Sequence, residues 1–203
     1  MNRVEMIGLE AEFVALNKDN QPIDCAKYRI PHDNFRAMAE VRALPGATLP
    51  LILGHFDVEF HKVKKACADV GVIPYYGEYS WIPATYEYFA KECGDRSWRN
   101  IYHNSLRPSF VRGGGLHIHF SAYSAGERIS LLTQPIIEDI IRRCDIEFKS
   151  AINACVGPYR VCGMWEPKPW GFEYRSLPFN QWAIDNMVEI AQFALNTLRI
   201  VLS

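Results

Sequence analysis

Residues 7–16, IGLEAEFVAL, place Glu10 and Glu12 two positions apart inside an otherwise apolar run. Strand side chains alternate between faces, so both carboxylates share one face while Ile7, Leu9, Ala11 and Phe13 take the other. The spacing recurs three times: Glu40 and Arg42 in MAEVRAL, His117 and His119 in GGGLHIHFSA, and Glu173 and Arg175 in GFEYRSLPF. Four such strands side by side make a sheet with a hydrophobic back. Its front, lined by carboxylates, imidazoles and guanidinium groups, is predicted to be a metal and phosphate surface.

The rest of the chain supplies what such a sheet needs. Its 203 residues, 49% hydrophobic and 22% charged, suffice for a full core, and one domain across residues 1–203 is expected. A formal net charge of -1 gives no overall pull toward nucleic acid or anionic membranes, so any polyanion must be held by a focused site. No apolar run reaches the roughly 18 residues that span a bilayer, and MNRVEMIGLE lacks the order of a signal peptide, so a cytoplasmic protein is expected. The six cysteines form no C-x-x-C pair and lack the density of a disulfide scaffold; reduced, mostly buried thiols are expected.

Along the chain, alternation predicts strands at 3–15, around Cys25 to Ile30, at Glu40–Arg42, at 72–83, at 114–123 and at the FEYRSLPF run. Apolar residues at spacings of three and four predict helices over 50–70, closed by Gly71, over 134–155, with Pro135 in its first turn, and from about 181 onward. Residues 84–110 suggest a short helix and a long loop, and 157–171 a loop. The terminal helix carries Met187, Val188, Ala191, Leu195, Leu198 and Val201, a surface for the sheet or for a second subunit.

Hard cations take oxygen ligands converging from separate strands, and Glu10, Glu12, Glu40 and Glu173 offer four carboxylates. An isolated Glu-x-Glu is more often solvated; four converging strands change that balance. Arg175 beside Glu173 suits phosphate oxygens, with an ion pair to a neighbouring carboxylate as the equal alternative. The glycine run at 113–115 is not followed by Gly-Lys-Ser/Thr, which excludes a Walker-type loop. His55, Asp57, Glu59 and His61 read as a solvated helix face, and the five tryptophans as core residues.

Taken in order, GLEAEF, HDNFRAMAEVRALP, RGGGLHIHFSA and KPWGFEYRSLPF resemble the glutamine synthetase and glutamate-cysteine ligase superfamily, closest to its phage-encoded carboxylate-amine (COOH-NH2) ligases of type 2. The match spans residues 7 to about 180. The resemblance implies an α+β fold: an antiparallel sheet curled into a half-barrel, helices on the convex side, ATP and magnesium or manganese ions on the concave side. It implies that Glu10 and Glu12 serve different metal sites, completed by His117 and Glu173 in one and by Glu40 in the other. It adds Asp33 as a further acidic ligand, His119 and Arg175 as catalytic contacts to the nucleotide phosphates, and Lys168 and Arg112 as secondary phosphate contacts.

The implied activity is that of a cytoplasmic amidoligase. A carboxylate attacks the terminal phosphoryl group of ATP, and an amine then displaces phosphate from the acyl phosphate. Its partners are a small-molecule or peptide carboxylate and amine. Glu166 departs from the resemblance, standing near where relatives tend to carry a basic residue, and the chain is short for the superfamily. Two other readings are a guanidino-kinase-like phosphotransferase and a non-catalytic phage structural or inhibitory module of the same fold. A cupin-like oxygenase is disfavoured because no glutamate follows His119 at three or four residues.

Overall fold

The computed structural model describes residues 3–33, 36–80, 111–124, 130–155 and 160–203, with backbone alone at 78–80 and 111–112. The first strand, β1 (Arg3–Leu16), is long because the alternating run extends beyond the glutamates at both ends. A turn at 17–21, pinned by Asn17 Oδ1 accepting from the Asp19 and Gln21 amides, leads into a 3-10 helix at Cys25–Tyr28. This corrects the strand expected there. Asp24 is the cause: its carboxylate accepts from the Ala26 amide as an N-cap and pairs with Arg36, which favours a helical turn over extended backbone.

The strand β2 (Met38–Arg42) is followed by α1 (Leu49–Asp69), which ends at Val70 and a left-handed Gly71 (φ +69). Short β3 (Ile73–Tyr75) pairs with β1, while β4 (Glu78–Ser80) and β5 (Val111–Gly113) form a separate two-stranded piece. The expected helix and loop at 84–110 lie outside the described residues. Next come β6 (Gly115–Ser124), α2 (Gln134–Glu147) and α3 (Lys149–Asn153). The single helix expected over 134–155 is therefore broken at Phe148, whose ψ of 10° leaves the helical range. The strand β7 (Trp165–Lys168) stands where a loop was expected; β8 (Gly171–Pro178), α4 (Gln181–Asp185) and α5 (Met187–Leu202) close the described fold.

The main sheet has six strands, all pairings antiparallel, in the order β2-β1-β6-β8-β7 with β3 also on β1. Its back carries Ile7, Leu9, Ala11 and Phe13 from β1, Leu116, Ile118 and Phe120 from β6, and Phe172 and Tyr174 from β8, all buried. Against it pack Ile52, Phe56 and Val63 of α1, Ile140 and Cys144 of α2, and Ala191, Leu195 and Leu198 of α5. Each fully buried aliphatic side chain contributes about 1.5–3 kcal/mol. Phe13, Phe56, Phe60, Tyr76 and Phe179 form an edge-and-stack aromatic group where β1 meets α1. On the terminal helix Val188 is exposed rather than part of the inward stripe. Cys25, Cys67 and Cys144 are buried, and Cys162 is exposed. No described helix is long and apolar enough to cross a membrane.

Candidate metal centre

Strand register builds the site in three rows across the front of the sheet. Glu40 of β2 stands opposite Glu12 of β1, which stands opposite Gly115 of β6; Arg42 faces Glu10, which faces His117. In the third row Gly8, His119, Glu173 and Glu166 run from β1 through β6 and β8 to β7. Like charges directly opposite destabilise a sheet, so the Glu12–Glu40 pairing needs compensation from something else. A bulge sets the β8 end: two residues of β6, Leu116 to Ile118, span three of β8, Leu177 back to Tyr174. The inward positions of β8 therefore run 172, 174, 177 instead of alternating strictly, and Phe179 just after the strand is buried as well.

The described front residues are tightly tied together. His117, fully buried, has Nδ1 2.9 Å from Glu173 Oε1 and 3.1 Å from Glu10 Oε1, and Nε2 3.7 Å from Glu12 Oε2. Glu173 also accepts from Lys168 at 2.8 Å and from Arg175, whose guanidinium lies 3.4 Å from Glu166. Arg42 pairs with Glu40 at 2.6 Å. His119 Nε2 is buried, 3.6 Å from Glu10 Oε2, and has no hydrogen-bond partner among the described residues.

Three groups have ligand atoms within 4.8 Å of one another: Glu10, His119 and Glu173; Glu10, Glu12 and His117; and Glu12, Asp33 and Glu40. Glu10, Glu12, Asp33, Glu40, His117, His119 and Glu173, the acidic and histidine candidates for the site, thus lie in adjoining groups. Arg175 and Lys168 stand beside them, both in ion pairs with Glu173 and Glu166, so the ion-pair reading of Arg175 describes this state. Glu166 is the acid that these two cations share. Of Arg112 only the backbone, in β5, is described.

Burial and charge push the carboxylates apart. Desolvation, with the neighbouring Glu10 charge, lifts Glu40 to about 9. It also raises Glu12, against the pull of His117. For Glu10 and Glu173 burial works the same way, but hydrogen bonds and charge from His117 outweigh it and hold both below the ordinary carboxylate range. Burial lowers His119, which favours the neutral ring. Burial and Arg175 oppose charge on His117, while Glu12, Glu10 and Glu173 favour it, with a net upward shift.

Two residues join the site that the sequence reading did not include. Trp170, in the β7–β8 turn, stacks on His119 at 5.0 Å and 16°, and its carbonyl accepts from Tyr123 Oη. The KPWG context, between a site lysine and a site strand, is the signal for it; of the other described tryptophans Trp165 is partly buried against the core and Trp182 is exposed, which corrects the core role expected for it. Arg160 comes from a loop and has no motif; its guanidinium is buried against Gly115. A cavity of about 370 Å³ opens beside Glu10 and His119, walled by Met6, Pro45, Tyr123 and Trp170. A second, of about 430 Å³, lies beyond Glu40 and presents Arg29, His32 and Arg42.

No family model matches the chain, and no curated protein matches it.

Proposed function

We propose that the chain is an ATP-dependent carboxylate-amine ligase of the glutamine synthetase and glutamate-cysteine ligase type, its sheet acting as a metal-bearing half-barrel. One observation carries the reading: carboxylates from β1, β2 and β8 converge with two histidines in abutting groups that share Glu10 and Glu12. Six carboxylates (Glu10, Glu12, Asp33, Glu40, Glu166 and Glu173) face four cations (Arg42, Arg160, Lys168 and Arg175). Carboxylates in excess of cations on one buried and half-buried face favour a bound counter-charge. Divalent cations fit on two further counts: the orphaned His119 Nε2, and a donor set dominated by oxygen, as magnesium and manganese require. Two such ions would turn the local balance positive and make the surface a receptor for a triphosphate.

The groups present fit that ligand. Glu10 and Glu173 with a histidine would hold one ion, and Glu12, Asp33 and Glu40 the other. Bound there, the ions supply neutralisation of the phosphate oxygens and lower the cost of charge build-up during phosphoryl transfer. Arg175 and Lys168 stand where they can leave Glu166 for phosphate oxygens. The 370 Å³ cavity with its Trp170 wall suits a purine base, and the 430 Å³ cavity, with two arginines at its rim, suits the carboxylate to be activated. There Arg42 borders both spaces. The water-poor front would then protect an acyl phosphate until an amine reaches it.

Phosphate release from ATP should require both a divalent ion and a carboxylate substrate, and fall at least a hundredfold in Glu173→Ala. Hydroxylamine should trap a hydroxamate, which only an acyl phosphate yields. Phosphorylated acceptor with no hydroxamate would favour a guanidino-kinase-like transfer instead. Absence of magnesium-ATP binding in calorimetry would favour a non-catalytic module.

A further inference from the structure

Of the acids named for the site, Glu10, Glu12, Asp33, Glu40 and Glu173 enter the three ligand groups, and Glu166 enters none. It lies on the edge strand β7 directly opposite Glu173 of β8, a like-charge pairing that needs cations between the two strands. Lys168, two positions on along β7, and Arg175, two positions on along β8, supply them. Lys168 Nζ lies 3.1 Å from Glu166 Oε1 and 2.8 Å from Glu173 Oε2. Arg175 Nη1 lies 3.4 Å from Glu166 Oε2 and also pairs with Glu173 Oε1. The four side chains close a ring of alternating charge.

The two acids of that ring differ in access. The Glu173 side chain is 2% exposed and reaches inward to the ligand groups, whereas that of Glu166 is 31% exposed and meets solvent. Each oxygen of Glu166 engages a different cation, as two oxygens of one phosphate group would. A ligand that takes Lys168 and Arg175 through such oxygens must therefore displace Glu166. The reaction proposed above uses two anions, a triphosphate and a carboxylate, and an arginine accepts either. Glu166 supplies the discrimination. It is itself a carboxylate, held beside both cations by the fold, so a free carboxylate offers the same contacts, gives up its translational freedom and gains nothing by replacing it. A triphosphate carries more charge and reaches the metal subsites as well, so it displaces Glu166 where a carboxylate does not.

We infer that Glu166 is a specificity-determining residue, an internal anion that keeps free carboxylates off the Lys168–Arg175 pair and yields only to a ligand of higher charge, the triphosphate. The inference rests on the ligase reading and deepens it: the pair is reserved for phosphate, and the carboxylate to be activated is confined to the cavity beyond Glu40. Because Glu166 acts through Lys168 and Arg175, it is a positioning residue. The sign of its effect is opposite to that of a ligand-binding group, since removing its charge tightens anion binding.

Calorimetry of the full chain with magnesium and the non-hydrolysable analogue AMP-PNP tests this, in chloride and in acetate at equal ionic strength. Glu166→Gln, which keeps the size of the side chain and removes its charge, should tighten AMP-PNP about fivefold, the order expected from releasing two partly exposed ion pairs. Exchanging chloride for acetate should leave the wild-type dissociation constant unchanged and raise that of Glu166→Gln by about twofold or more, because acetate can then occupy the cation pair. Adding Lys168→Met should remove most of the gain, as coupling between neighbours requires. AMP-PNP binding that is unchanged or weaker in Glu166→Gln, acetate that competes equally in both proteins, or a gain that survives whole without Lys168 would each overturn the inference. A wild type that binds no magnesium AMP-PNP would instead overturn the ligase reading beneath it, a separate failure because it shows before any substitution is made.

Discussion

Glu40 is buried to 3% exposure on an edge strand, beside Glu12 and Glu10, with Arg42 as its close cation. Its proton affinity, raised to about 9, differs from that of Glu10 and Glu173, which are held low. From roughly pH 4.5, where the unfolded glutamate titrates, up to about 9, the metal-free folded protein keeps a proton that the unfolded chain has released. Stability contributed by this proton is complete at the acid end of that window and is lost as pH rises through it. Glu10 and Glu173 act oppositely: their contribution is present above the ordinary carboxylate range and lost as pH falls. A divalent ion at Glu12–Asp33–Glu40 must displace the Glu40 proton. Magnesium binding near pH 7 should accordingly release about one proton, with Glu12 adding to it. Calorimetry in two buffers of different ionisation enthalpy measures the release, which Glu40→Gln should reduce by about one; a binding heat independent of buffer would contradict this.

At the scale of elements, alternation by twos was sufficient to place β1, β2, β6 and β8 and to predict which of their side chains share a face. It works because one side of each strand is buried and a slip of one residue would reverse it. The same rule is blind to the bulge in β8, whose cause lies in the pairing with β6, and to β7, whose Pro167 and Trp165 resemble loop composition. Pro167 is tolerated because β7 is at the sheet edge. Arg160 was illegible for a related reason: its place is set by the hole at Gly115 and by the Arg175 carbonyl, neither of which is near it in sequence. Ser176, fully buried at the bulge, accepts from the Met164 amide at 3.1 Å and so ties the approach to β7 onto β8. Ser176→Ala should cost about 1–2 kcal/mol by leaving that amide without its acceptor. Urea unfolding should show a lower midpoint at unchanged slope, and an unaltered midpoint would remove the bulge from the account of how β7 is held.

For the whole molecule, a net charge of -1 conceals the feature that matters, because the acidic excess is concentrated on one face of one sheet. Hydrophobic burial on the back of that sheet stabilises a front that by itself opposes folding, with Glu12 facing Glu40 and six of the site's side chains (Glu12, Glu40, His117, Arg160, Glu173 and Arg175) out of water. Ions that bind only the folded state reverse the deficit by mass action, about 2.7 kcal/mol at a hundred times the dissociation constant. The central claim is that this face exists to hold divalent cations for a triphosphate. Anomalous scattering from a crystal grown with manganese and a non-hydrolysable ATP analogue tests it directly. The account predicts two manganese peaks, one among Glu10, Glu173 and a histidine of β6 and one among Glu12, Asp33 and Glu40, with the triphosphate bridging them. A crystal with nucleotide bound elsewhere, or with these carboxylates free of metal, would contradict it.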